Sequence, residues 1–276
     1  MAHPKKYRLA ILISHPIHYL IDLYRELNRH PDIEIKVYFC SNFGIKSGFD
    51  SSFGKTVKWY DNKILAGLPH KFLKNYSLNK TVGGFFSVFN PAIISELKNN
   101  RYDALIIHGY NYLTNIIAIF AANTFRIPIL FRGESHLLNY RPPFVNKLKK
   151  IVLPFFFKKI DAFLAIGNLN SAYYQFYEVD RDKNFLVPYA VNNDRFQITR
   201  KILPDKKTLK KNHDLDPNSI TILYLAKLID RKRPLDLLMA YEIAKEKLKN
   251  DHKMDLVFVG DGPEKAALET YARNKD

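Results

Sequence analysis

The chain is short of several things at once, and each shortage excludes something. It has one cysteine, Cys40, in 276 residues, which rules out an internal disulfide and any metal cluster built on thiolates. No apolar run reaches the roughly 18 residues that would mark a membrane-spanning helix. The opening MAHPKKYRLAILIS lacks the small-residue cleavage site of a signal peptide and runs straight into fold-like sequence. The expectation is therefore a cytoplasmic protein, peripheral on the inner face of a membrane if it meets one. Acidic residues are scarce as well: 27 Asp and Glu stand against 43 Lys and Arg, for a net charge of +16. Nucleic acid, anionic lipid and phosphorylated small molecules are all attracted to such a charge. Zinc-finger spacing, an RNA-binding aromatic motif and a basic region followed by heptads are missing, so nucleic acid is the weakest of the three and is not expected as a partner.

What is present is a repeating strand, loop and helix. Tyr7–Ser14 reads as a strand, His15-Pro16-Ile17-His18-Tyr19 as its connection, and residues 20–30 as a helix with apolar residues at Leu20, Leu23, Tyr24 and Leu27. Ile33–Cys40 alternates and reads as a second strand, with Cys40 a buried structural thiol. Residues 41–90 are irregular, rich in glycine and aromatics, and hold the only tryptophan, Trp59. Within them Gly83-Gly84 offers either a close backbone approach to a ligand or a simple turn ahead of a helix at 91–99. Further strands are expected at 104–108, 128–131, 161–166 and 184–188. Helices are expected at 113–125, at 169–177, and across 143–159 as one or two pieces broken near Pro154.

The organising stretch is Asp103–Tyr112, DALIIHGYNY. Four apolar residues in a row suit a parallel strand buried on both faces, with His108 at its carboxyl end and Gly109 releasing the chain. In an open α/β sheet ligands bind beyond the carboxyl ends of the strands. The stretches that follow the other strands, RGESH at 132–136 and YAVNNDRF at 189–196, are polar too. Strands alternating with helices at this spacing predict an α/β, doubly wound parallel sheet. The first domain is taken as 1–199, the lysine-rich stretch 200–218 as a linker, and 219–276 as the first β-α-β-α portion of a second unit. That portion has strands at 220–225 and 254–259, helices at 233–249 and 264–275, and a Gly260-Asp261-Gly262-Pro263 turn.

YLAKLIDRKRP at 224–234, followed by LVFVGDGP at 256–263, resembles the nucleotide-sugar-binding domain of GT-B glycosyltransferases, specifically the large retaining family 4. Ala226, Lys227 and Lys232 fit the family's spacing of a small residue, a basic residue and a lysine five positions on. Lys227 stands where arginine is commoner, which keeps the charge but loses bidentate geometry. DALIIHG is similar to the family's Asp-x-x-x-x-His strand end, and YAVNNDRF resembles its exit loop, with Asn193 and Asp194 shifted. SHPIHY resembles a subgroup in which His-Pro replaces a glycine-rich first loop.

The resemblance implies a GT-B fold and a transferase moving a sugar from a UDP- or GDP-linked donor to a saccharide or lipid-linked saccharide, with retention and without a metal or cofactor. It implies His108 as the active-site histidine. Lys227, Lys232, Gly260, Asp261 and Gly262 would sit on the donor diphosphate. His15, His18, Arg132, Glu134 and His136 are expected on the acceptor side. The family's Glu-x7-Glu segment does not follow Gly262, because Glu264 and Glu269 lie too early, so a truncated second domain is expected, with reduced or no activity alone.

Residues 141–160 hold six basic residues, no acid and four phenylalanines. The stretch suits either an anionic membrane surface or a helix with its aromatics in the core and its lysines in water. Two other functions remain open: a GT-B-like sugar-nucleotide epimerase, and a non-catalytic binding module with a basic, membrane-adhering surface.

Overall fold

The computed structural model describes residues 6–50, 55–78, 82–138, 142–248 and 253–274. The chain divides into two compact units. One comprises Met1–Gly48 with Val57–Asn192, the other Phe49–Thr56 with Asn193–Asp276.

The first unit is built on a parallel sheet. Its strands are β1 (Tyr7–Ile13), β2 (Ile33–Phe39), β5 (His70–Phe72), β6 (Ala104–His108), β7 (Ile129–Arg132), β8 (Ala162–Ala165) and β9 (Asn184–Leu186). Their spatial order is β5-β2-β1-β6-β7-β8-β9, and every neighbouring pair runs parallel. The excursion between β2 and β5 carries two further short strands, β3 (Gly48–Asp50) and β4 (Lys55–Val57), which pair with each other and fall mostly in the second unit.

The helices of this unit are α1 (His18–Arg29), α2 (Ala92–Asn100), α3 (Leu113–Thr124), α4 (Pro143–Phe157) and α5 (Asn168–Phe176). They cover the sheet unequally. Ile11, Ile13, Val37 and Ile106 point to the side where α1 packs through Leu20, Ile21 and Tyr24. Leu12, Leu105, Ile107 and Phe131 point to the other, where α2 to α5 contribute Ile93, Ala118, Phe157 and Tyr174. Burial on both faces is why β1 and β6 are apolar without alternation.

The chain winds from β1 to β2 on one side, then returns to place β6 on the other side of β1. The carboxyl ends of β1 and β6 therefore flank the point where strand order reverses, the place where open α/β sheets form a crevice.

Several expectations change in detail. Helix α4 runs unbroken through Pro154, which lies on its inner side with Leu153 and Phe157. A mid-helix proline sacrifices one backbone hydrogen bond, and burial of that inner face offsets the loss. Residues 193–196, expected in an exit loop, begin a helix, α6 (Asn193–Ile202). The stretch 200–218 holds the end of α6 and a further helix, α7 (Lys206–Lys211), capped by Asp205, which accepts from the amides of Lys207 and Thr208. No atom crowds a Cβ built on Gly83 or Gly84, so no close backbone approach requires glycine at that pair. Thr81, Arg141, Lys249 and Lys275, the outer ends of expected segments, lie outside the described residues.

The second unit holds β10 (Ile220–Leu225) and β11 (Met254–Val259), paired in parallel from Ile220↔Met254 to Leu225↔Val259. Helices α8 (Pro234–Lys247) and α9 (Lys265–Arg273) follow them. Among the described residues its buried apolar side chains are few: Leu228, Pro234 and Leu268.

Candidate functional site

At the carboxyl edge of the first unit, β6 ends on His108 and β7 ends on Arg132, the two residues directly paired in register. Sequence reading had placed Arg132 just beyond its strand; it is the strand's last residue. Gly109 turns the chain away with φ +73, a conformation that favours glycine. The turn is fixed from α3, where Asn115 Nδ2 donates to the carbonyls of His108, at 2.7 Å, and Gly109, at 2.8 Å.

His108 Nε2 lies 2.7 Å from the hydroxyl of Tyr24 on α1. Burial, and then the Arg132 guanidinium, push its pKa from 6.5 down to about 3, so the imidazole is neutral at physiological pH. Burial likewise raises the Tyr24 phenol. The pair is thus an uncharged hydrogen-bonding couple at the sheet edge.

Arg132 is buried, with 5% of its surface exposed. Its Nη1 donates to the carbonyl of Val187 at 3.0 Å, and its guanidinium stacks over the Tyr189 ring, 5.0 Å from the centroid. Its Nε and Nη2 have no hydrogen-bond partner. A buried cation so sparsely satisfied costs stability, which makes Arg132 a candidate for function rather than for packing. Tyr189 OH donates to the Glu134 carboxylate and its ring meets Tyr19 edge-on at 5.2 Å. Next to Tyr19, His18 shares a 3.1 Å contact with the Tyr60 hydroxyl through Nδ1.

Of the acceptor-side residues expected from sequence, His18, Arg132 and Glu134 therefore join one chain of contacts through Tyr19, Tyr60 and Tyr189. His15 sits at the same edge after β1, its Nδ1 2.9 Å from Ser14 Oγ and its ring edge-on to Phe43. His136 stands apart from this group among the described residues, its Nδ1 buried with no hydrogen-bond partner.

Tyr24, Tyr60 and Tyr189 were not singled out from sequence. The one signal was chemical: a tyrosine on the apolar face of α1 needs a partner for its hydroxyl, and the nearest titratable strand end is His108.

In the second unit, the residues after β10 and β11 lie side by side. The Leu228 amide donates to the Asp261 carbonyl at 2.9 Å, and the Glu264 amide to the Leu228 carbonyl at 3.0 Å. A Cβ on Gly260 would fall 2.0 Å from the Ala226 carbonyl oxygen, and one on Gly262 would fall 2.3 Å from that of Leu228. Both glycines are required by this backbone contact.

Lys227 Nζ lies 3.1 Å from Asp50 Oδ2, and Asp261 pairs with Lys55. Lys55 and the adjoining Gly262 amide hold the Asp261 carboxyl below its usual range. Lys232 is exposed, and its backbone carbonyl accepts from Tyr224 OH at 3.2 Å. Asp50 and Lys55 come from the short excursion between β2 and β5 and were not foreseen.

No group of three or more His, Cys, Asp or Glu side chains is placed to hold a metal ion among the described residues. Asp-x-Asp spacings occur at Asp180/Asp182 and Asp214/Asp216, and Asp216 is paired with Lys253 at 2.9 Å.

No protein-family model matches the sequence, and no curated protein is significantly similar to it. Solved structures do match. HepE of Anabaena, crystallised with UDP and glucose, superposes with a TM-score of 0.60 at 11% identity, over 96% of this chain and 64% of that one. A UDP-N-acetylglucosamine 2-epimerase gives 0.58 at 12%, over 98% and 67%. The lipopolysaccharide outer core galactosyltransferase WaaB gives 0.52 at 14%, over 97% and 64%. The chain thus spans about two thirds of the length of these proteins, and its fold is an α/β fold of the GT-B type.

Proposed function

We propose that the chain belongs to a retaining, metal-independent glycosyltransferase of family 4 character, moving a sugar from a UDP- or GDP-linked donor to a saccharide or lipid-linked saccharide. The observation that carries this reading is the carboxyl edge of the β10–β11 pair. Parallel register brings the exits of the two strands together: Lys227 follows β10, with Lys232 five residues further on, and the Gly260-Asp261-Gly262 turn follows β11. Two cations at the paired exits of parallel strands, where open α/β sheets bind ligands, suit a diphosphate, which needs fixed positive charge.

In the reaction the bond from the sugar C1 to the diphosphate oxygen breaks, and the acceptor hydroxyl oxygen bonds to C1. The hydroxyl proton passes to the departing phosphate oxygen. Fixed cations aimed at the developing negative charge lower that barrier most. Lys227 is balanced by Asp50 in the present arrangement, so a bound diphosphate would take that carboxylate's place. In the first unit, His108 is assigned to the reacting centre, toward the donor sugar or the departing oxygen, and Arg132, Glu134 and Tyr189 to the acceptor side. His108 offers a neutral hydrogen-bonding group rather than a charge.

Titration calorimetry of the 276-residue chain with UDP and with GDP, in the presence of EDTA, tests the assignment. Binding by one nucleotide is expected, weakened at least about tenfold by Lys232→Ala, a loss in keeping with one charge-assisted hydrogen bond. No binding by a folded chain would refute the donor site.

The shared fold with a UDP-N-acetylglucosamine 2-epimerase, over 98% of this chain, supports sugar-nucleotide epimerisation as the second reading. The two are separated by proton NMR of a UDP-sugar incubated without acceptor. Accumulation of its 2-epimer indicates epimerisation; release of UDP only when a saccharide is added indicates transfer.

A further inference from the structure

Helix α4 is apolar on two opposite sides, and the core accounts for only one of them. Leu153, Pro154 and Phe157 turn inward and are buried. Phe144, Leu148, Ile151, Val152 and Phe155 are exposed, Phe144 by 72% and Phe155 by 67%. Their spacing confines them to an arc of about 100° on a helix of 3.6 residues per turn. The four phenylalanines of the segment are thus divided: Phe157 lies in the core, Phe156 is partly buried against it, and Phe144 and Phe155 face water.

An exposed apolar stripe of this continuity marks an interaction surface, and its charge says what kind. From Ser135 to Ile160 the sequence has no acidic residue. Lys147 and Lys149 flank the stripe on the helix, Lys150 lies on its inner half with its ammonium over Phe176, and Lys158 and Lys159 follow the helix end. None of the five forms an ion pair among the described residues. Lys150 and Lys158 hold their ammonium nitrogens over aromatic rings, 5.2 Å from the Phe176 centroid and 5.5 Å from that of Phe155, so these charges are balanced by ring faces and not by carboxylates. A second copy of this chain would bring like charge against like charge.

We propose that the outward face of α4 docks on an anionic phospholipid surface, with Phe144, Leu148, Ile151 and Phe155 entering the headgroup and upper acyl region and the lysines meeting lipid phosphates. This is the arrangement of a helix lying in the interface plane. It does not depend on which sugar reaction the molecule performs.

Flotation of the full chain with vesicles of phosphatidylglycerol and phosphatidylcholine, and with vesicles of phosphatidylcholine alone, decides it. The chain is expected to float with the anionic vesicles only, and to be released as salt rises from about 0.05 M to about 0.5 M, where screening shortens to a few ångströms. The triple variant Phe144→Ser, Leu148→Ser, Phe155→Ser should lower the partition constant by roughly tenfold or more, with an unchanged circular dichroism spectrum and melting temperature because those side chains leave the core untouched. Should that variant misfold, Lys147→Glu with Lys158→Glu tests the same face through its charge and should also abolish flotation.

The proposal is overturned if the wild type does not float, floats equally with neutral vesicles, or keeps its affinity in a folded variant. A dimer in sedimentation velocity that the triple variant dissociates, without flotation of the wild type, would assign the face to a second copy and equally overturn it.

Discussion

His108 is neutral because of where its strand ends. It closes β6 beneath Tyr24 and beside Arg132, and both loss of water and the neighbouring cation disfavour a second proton. The consequence for stability has a definite sign. With a folded pKa near 3 and an ordinary value of 6.5, the unfolded chain binds a proton between those limits and the folded chain does not. Stability therefore falls as pH falls through that window, by up to about 1.4 kcal/mol per pH unit from this group. His108→Gln removes the titration, so its urea midpoint should decline less steeply than the wild type's between pH 6.5 and pH 4.5. Parallel declines would mean that His108 is hydrated and protonates normally. His108 itself was legible in the sequence, since an apolar run ending in histidine and glycine describes a strand and its exit. Tyr24 was not, because it lies 84 residues earlier on a helix whose spacing makes it look like ordinary core. Local pattern marks the end of an element, whereas hydrogen bonds between distant elements leave no periodic trace.

At the level of elements, the long buried strands were readable and the short edge ones were not. β1 from Leu9 on and β6 up to Ile107 are written in unbroken apolar residues because both faces of the sheet are covered there. β5 is His70-Lys71-Phe72 and pairs only with β2, so nothing in its composition sets it apart from the loop around it. α4 was obscured by Pro154, whose cost is visible in sequence while the inward burial that offsets it is not. The β10–β11 exits show a different dependence, of an element on single glycines. Adding a methyl group at Gly260 would force apart the backbone at Ala226, where no side-chain rotation relieves the clash. Gly260→Ala should destabilise the second unit by roughly 1–3 kcal/mol, the usual scale for overpacking, and should lower UDP affinity along with it by displacing Lys227. Urea unfolding followed beside nucleotide titration checks both effects. An alanine variant of full stability would show that the two exits do not pack as closely as their geometry requires.

Across the whole molecule, the apolar core is unevenly shared. Both extended clusters of buried side chains belong to the first unit, whereas Ile220, Leu223 and Leu225 of β10 stand exposed in the second. Apolar burial is the main force opposing chain entropy, so the second unit is the less stable of the two, and it is also the one that holds Lys227, Lys232 and the glycine turn. Local opening is expected to be easiest where the least apolar surface is buried, and a ligand that binds only the closed form suppresses that opening by mass action, by about 2.7 kcal/mol at a hundred times its dissociation constant. Hydrogen exchange read by mass spectrometry should therefore show the amides of β10 and β11 exchanging well before those of β1, β6 and β7. Saturating UDP, or GDP if that is the base recognised, should slow β10 and β11 by roughly a hundredfold and leave β6 unchanged, because the linkage acts only through the unit that binds. If β10 is protected as well as β6 without nucleotide, the thin core is sufficient and the instability argument fails. If nucleotide instead protects β6 and leaves β10 unaltered, the diphosphate sits at the His108 edge, and the assignment of the two lysines fails with it.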